Sequence, residues 1–186
     1  NDAPARPPSR GRTTHGTPPA PEPFTRLPRL HHDRPAIIGA ALESDVYCEM
    51  FCDGLHLHPA IVRLLWKTKG QQRLVAITDS IMAAGLPDGN YHLGVNQVVV
   101  EKGDAKLASD GTRAGSTLTQ DRALRNLLAF TGLPLEELLP VLTENPAKLI
   151  GVYDRKGSIE NGKDADLVIL DEQMQVSDVF LRGRRL

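Results

Sequence analysis

Two short stretches carry the ionisable residues best placed for chemistry. One is Asp53-Gly54-Leu55-His56-Leu57-His58-Pro59, and the other is Leu74-Val75-Ala76-Ile77-Thr78-Asp79-Ser80. In each, an apolar run ends and polar, ionisable side chains follow it. A carboxylate in the position of Asp79 can take a proton from an attacking water and return it to a leaving group. His56 can face the same substrate as Asp79, and Asp53 can orient its imidazole. His56 and His58 form His-x-His, which on a strand would put both rings on one face and suit a zinc ion. The alternatives are ordinary ones: an Asp that caps the following segment, an Asp-Gly turn, and one histidine at a helix start.

Chemistry at the tips of consecutive strands needs strands that point the same way. Val46–Cys52 and Leu74–Ile77 read as buried strands. Between them Pro59 suits the first turn of a helix with Ile61, Val62, Leu64, Leu65 and Trp66 on its apolar face, and Gly70 ends it. A strand–helix–strand unit implies parallel pairing with a right-handed crossover. Residues 81–115 break this rhythm. Asp88-Gly89-Asn90 and Lys102-Gly103-Asp104 are turn signals around alternating runs, predicting a loop with a β-hairpin excursion. Ser116 or Thr117 then caps a helix that carries Leu118, Leu124, Leu127, Leu128 and Phe130 and closes at Gly132. Further helices are expected over 134–143 and from Asn145-Pro146 to Ile150. A turn at 157–162 precedes strands over 165–170 and 176–181, and Arg182, Arg184 and Arg185 read as a solvated terminus.

The fold class expected is α/β: the C-terminal part of a (β/α)8 barrel over 30–150, followed over 151–186 by strands of a small β-sandwich domain. A closed barrel of this kind takes roughly 250 residues, and this chain has 186. Two convincing barrel strands are legible, with a third near 108–116. Residues 1–29 hold most of the fourteen prolines and many arginines, so disorder or a shifted reading frame is expected there.

The composition is ordinary for a soluble protein, at 40% hydrophobic and 24% charged residues with a net charge of -1. That balance offers no electrostatic footprint for nucleic acid. No apolar run approaches a membrane span, and no apolar leader follows the N-terminal arginines, so the expected location is the cytoplasm. Cys48 and Cys52 on one strand would stand roughly 13 Å apart, at about 3.3 Å per residue, too far for a disulfide. Both read as small core residues, with a metal pair as the lesser alternative.

Several motifs now fall into one order: Pro35-Ala36-Ile37-Ile38-Gly39-Ala40, Asp53-Gly54-Leu55-His56, Thr78-Asp79, Ala114-Gly115-Ser116-Thr117-Leu118-Thr119, Asn145-Pro146-Ala147, and Gly157-Ser158-Ile159 through Gly162-Lys163-Asp164-Ala165-Asp166-Leu167. From about His31 onward the chain resembles the N-acetylglucosamine-6-phosphate deacetylases of the amidohydrolase superfamily. The resemblance implies hydrolysis of the acetamide of N-acetylglucosamine 6-phosphate to glucosamine 6-phosphate and acetate, on a TIM-like barrel. Asp79 matches the acid/base carboxylate. His56, with Asp53, Gly54 and Leu55, matches the substrate-contacting element, and Arg113, Ala114 and Gly115 the loop near the acetyl group. Arg34 is the nearest match to an arginine that reaches a partner subunit's phosphate pocket in a homodimer. In this chain Asp33 and Arg34 stand in inverted order, and Ala36 replaces the glycine of a Pro-Gly pair. The resemblance also implies a divalent metal, zinc or iron, held by a Glu and two His in a Gly-His-x-x-Ala and a Thr-His-x-x-Asn-Ala element. Neither element occurs here, so no metal ligand is assigned and the isolated chain is expected to be inactive. Other readings are a dihydroorotase-like or deaminase-like amidohydrolase using His56 and His58 as ligands, and a non-catalytic remnant.

Overall fold

The computed structural model describes residues 30–186; the reading of residues 1–29 lies outside them. The architecture is mixed α/β. In chain order the elements are α1 (Ala36–Glu43), β1 (Cys48–Phe51), α2 (Pro59–Lys69), β2 (Leu74–Ile77), β3 (Gly89–Leu93), β4 (Asn96–Glu101), β5 (Asp104–Leu107), α3 (Gln120–Thr131), α4 (Leu135–Leu142), α5 (Glu144–Leu149), β6 (Leu167–Leu170), β7 (Val176–Leu181) and β8 (Arg184–Arg185).

The β1–α2–β2 unit forms as its pattern predicts. Cys48 faces Leu74 and Phe51 faces Ile77 in a parallel register. Pro59 opens α2, where its missing N–H costs no hydrogen bond, and Gly70 closes it with φ 66°. Met50, Leu65, Leu74, Leu127, Leu138 and Val141 are fully buried and form one core with α3 and α4. Cys48 and Cys52 are free and buried in that core. Burial, with Asp53 beside it, pushes the Cys52 thiol up to about 12, which keeps it neutral.

Only two strands pair in this parallel sheet, so other groups must satisfy their exposed ladder atoms. From α3, Asn126 donates to the Cys52 carbonyl at 2.7 Å and Gln120 to the Ala76 carbonyl at 3.0 Å. The buried Asn145 amide donates to both Gln71 and Leu74 carbonyls at 2.7 Å, tying α5 to the start of β2. The Asn-Pro-Ala motif therefore acts as a clamp on a strand.

Three expectations need correction. The excursion after β2 is a three-stranded antiparallel meander, β3-β4-β5, rather than a hairpin, because Val98, Val100 and Ala105 build a second small core with Ile81, Ala83 and Ala114. Helix α3 begins at Gln120 after Thr119, not at Ser116 or Thr117. Those two hydroxyls are spent elsewhere, Ser116 donating to the Thr78 carbonyl and Thr117 to the Gly103 carbonyl. The third barrel strand is a single parallel bridge between Ser80 and Ser116. The terminus is exposed, as expected, and Arg184 and Arg185 also pair with Leu181 and Phe180 as β8, with Arg185 meeting Asp178. What stands there is one antiparallel sheet, β6-β7-β8, none of whose residues is buried. No helix among the described residues is long and apolar enough to cross a membrane.

Candidate active site

The loop leaving β1 is organised by one side chain. Asp53 Oδ1 accepts from the backbone N–H groups of Leu55 and His56, both at 2.9 Å. Its Oδ2 lies 2.6 Å from His56 Nδ1. Gly54 allows this turn by taking φ 77°. Burial alone would raise the Asp53 carboxyl, but the hydrogen bonds and charge of His56 and the bond from Leu55 outweigh it and hold the carboxyl below the usual range. An ionised Asp53 accepts, so His56 Nδ1 carries the proton and Nε2 faces away from Asp53. The His56 ring also lies against Phe51, with centroids 4.9 Å apart. Asp53 thus does both things foreseen for it: it makes the turn and it orients the imidazole.

The loop leaving β2 is organised from a distance. Asp79 is exposed and takes φ 47°, a left-handed conformation that costs a non-glycine residue about 1–2 kcal/mol. Two backbone bonds hold it: the Ser116 N–H donates to the Asp79 carbonyl at 2.8 Å and the Ile81 N–H to the Ser116 carbonyl at 2.9 Å. The Ser80 hydroxyl donates to the Leu118 carbonyl. Gly115 permits this latch. A Cβ there would come 2.5 Å from Ile81 Cγ2 and 2.9 Å from the Asp79 carbonyl oxygen, on a backbone at φ 63°. Asp79 Oδ2 lies 3.8 Å from that same point. The Ala-Gly-Ser turn is therefore the strap that positions Asp79.

Gly115, which packs against the Asp79 tip, also lines a cleft with the tip that carries Asp53 and His56; Asp79 itself does not line it. Asp53, Leu55 and His56 line this small open cleft together with Gly115, Ser116, Thr117 and Leu118. The far wall is the turn between β4 and β5, Gly103 and Asp104, with Arg122 from the first turn of α3. Sequence reasoning did not single out Asp104 or Arg122 and read Thr117 only as a helix cap; the Gly103-Asp104 turn signal was the available clue.

The remaining predicted residues are placed differently. Arg113 forms a two-pronged ion pair with Asp104, at 2.8 and 3.0 Å. This bond raises its guanidinium, while Arg113 and Lys106 hold the Asp104 carboxyl low against burial. Ala114 is buried and donates to the Ala105 carbonyl at 3.1 Å. Both residues thus join the strap to the meander. Arg34 does not line the cleft; its side chain is 89% exposed and its Nε lies 3.9 Å from Asp33 Oδ1. His58 is the N-cap of α2, its Nδ1 accepting from the Ala60 N–H at 3.2 Å.

Among the described residues, no three potential ligands converge at the strand tips. His56 Nδ1 is bonded to Asp53, His58 Nδ1 caps its helix, and the buried Cys52 thiol stays neutral. Among the described residues, three potential ligands converge only at His31, His32 and Asp33.

Comparison with known proteins gives a consistent picture. Residues 30–186 match the model of the amidohydrolase family. The chain is 40% identical over 161 residues to the N-acetylglucosamine-6-phosphate deacetylase of Bacillus subtilis, covering 86% of this chain and 40% of that protein. It is 38% identical over 162 residues to the putative N-acetylgalactosamine-6-phosphate deacetylase of Escherichia coli K12, covering 87% of this chain and 96% of that shorter protein. Among solved structures, the N-acetylglucosamine-6-phosphate deacetylase of Pasteurella multocida aligns with a TM-score of 0.81 at 32% identity, over 86% of this chain and 42% of that one. The chain therefore spans about 40% of the length of most of these relatives. With its family model matched from residue 30 to its last residue, the protein belongs to the amidohydrolase family.

Proposed function

We propose that this chain carries the acid/base portion of a deacetylase that hydrolyses the acetamide of N-acetylglucosamine 6-phosphate to glucosamine 6-phosphate and acetate. The observation that carries this reading is the strap: Gly115 and Ser116 bring the Asp79 tip beside the cleft lined by His56. In this reading Asp79 accepts a proton from the attacking water and delivers it to the departing amine. His56, its Nδ1 anchored by Asp53, presents Nε2 to the scissile carbonyl and in its imidazolium form donates to the developing oxyanion. Leu55, Gly54, Ala114 and Gly115 shape the acetyl side of the pocket. Arg113 supports the strap through Asp104. Arg34 serves as the anion contact of a homodimer.

The same reading assigns the enzyme a divalent metal, zinc or iron. The strand-tip residues do not supply its ligands, so the described residues on their own do not turn substrate over. We further assign the β6-β7-β8 sheet to one layer of a small β-sandwich, and the protein to the cytoplasm.

The test is a chimera in which residues 30–186 replace the matching segment of the Bacillus subtilis relative. Acetate release from N-acetylglucosamine 6-phosphate is expected, with a loss of about a thousandfold or more in Asp79→Asn. The isolated chain is expected to release none. A folded chimera without turnover, or turnover indifferent to Asp79→Asn, refutes the assignment. Faster turnover of the galactosamine epimer would move the substrate to that sugar.

A further inference from the structure

The turn before α1 brings together two imidazoles and a carboxylate that neither the core nor the cleft uses. Successive side chains in an extended segment point apart. Here the chain reverses at 31–34, where His31 and Arg34 exchange backbone hydrogen bonds at 3.2 Å in both directions. The reversal places the His31 and His32 rings with centroids 4.3 Å apart, tilted by 40°. His31 Nδ1 is hydrogen-bonded to Asp33 Oδ1. One potential ligand atom from each of His31, His32 and Asp33 lies within 4.8 Å of the others. All three residues are exposed, so a cation reaches them without opening the fold.

We propose that His31, His32 and Asp33 form a binding site for a divalent transition-metal cation, with zinc as the best match. Two imidazole nitrogens and one carboxylate oxygen are a three-ligand set for tetrahedral zinc, leaving a fourth position to water or an anion. Purely oxygen-seeking cations such as magnesium and calcium find only one hard ligand there. The ion sits between groups already in contact, so little chain entropy is lost on binding. Its charge competes with the Arg34 guanidinium, whose Nε stands 3.9 Å from Asp33 Oδ1. The proposal stands on this turn alone and is independent of the deacetylase reading.

Calorimetric titration of the chelator-treated chain with Zn²⁺ is the test. One site of micromolar Kd is expected. The double variant His31→Ala/His32→Ala and the single variant Asp33→Asn are expected to weaken it at least tenfold, and His56→Ala to leave it unchanged. Mg²⁺ should give no heat. Because the three side chains are exposed, far-UV circular dichroism should be the same for all variants. In a long-range ¹H–¹⁵N spectrum the His31 and His32 ring signals should move first as Zn²⁺ is added. Zinc binding that survives the double variant, or no binding up to millimolar Zn²⁺, overturns the proposal.

Discussion

The two strand tips reach similar ends by opposite routes. At the tip of β1, Asp53 folds its own loop by bonding to residues two and three positions ahead. At the tip of β2, Asp79 does nothing comparable for itself. Its left-handed backbone is held by Ser116, and room for the hold exists only because residue 115 lacks a side chain. The first tip is organised locally and stores little strain. The second is strained and depends on a segment far along the chain. A carboxylate placed in this second way is set by tertiary structure, and loses its position whenever the strap loosens.

The comparison can be broken most forcefully at Gly115. Gly115→Ala adds a Cβ that meets Ile81 and the Asp79 carbonyl on a backbone already left-handed. A destabilisation of about 2–4 kcal/mol is expected from strain and overpacking together, read as a lowered urea midpoint. If the midpoint holds, the strap yields more easily than its geometry implies.

At the other tip the expected effect is smaller and depends on pH. The folded Asp53 carboxyl sits below its unfolded value of about 3.9. Its contribution is therefore present above pH 4 and is lost as acid titrates it through the lower folded value. Asp53→Asn should cost about 1–2 kcal/mol at pH 7, and the difference from the native chain should shrink between pH 4 and pH 2. Urea midpoints measured across that range check the sign; a gap that widens with acid would contradict it.

A third strained position sharpens the contrast. Ala36 opens α1 at φ 50°, a left-handed conformation that favours glycine. Ala36→Gly is expected to stabilise the chain by up to about 1 kcal/mol, the cost of an alanine in that conformation less the extra entropy of a glycine in the unfolded chain. A thermal melt suffices to measure it. Unlike the strain at Asp79, nothing in the candidate site is expected to change with it.

What the sequence revealed divides along the same line. The β1–α2–β2 unit was readable because its signals are local: two apolar runs, Pro59 at a helix start and Gly70 at its end. The His56–Asp53 pair was within reach for the same reason. The start of α3 was misjudged because Ser116 and Thr117 look like caps but bond to Thr78 and Gly103, partners that only the fold brings near. Thr119 followed by Gln120 and Asp121 held the better local signal. Arg113 was legible as a residue near the loop, but its pairing with Asp104 needed the meander to be folded. Strand β8 is two arginines long and leaves no periodicity to read.

The meander also has a consequence in time. Its strands are joined by tight turns, Leu93 beside Asn96 and Glu101 beside Asp104, so its pairing closes short loops. Cys48 and Leu74 must instead await the docking of a whole helix before their parallel register is worth forming. Chain collapse would then run backwards relative to the order of synthesis, with the later-made meander ordering first. In that order the Asp79 latch belongs among the last bonds to close and the first to open.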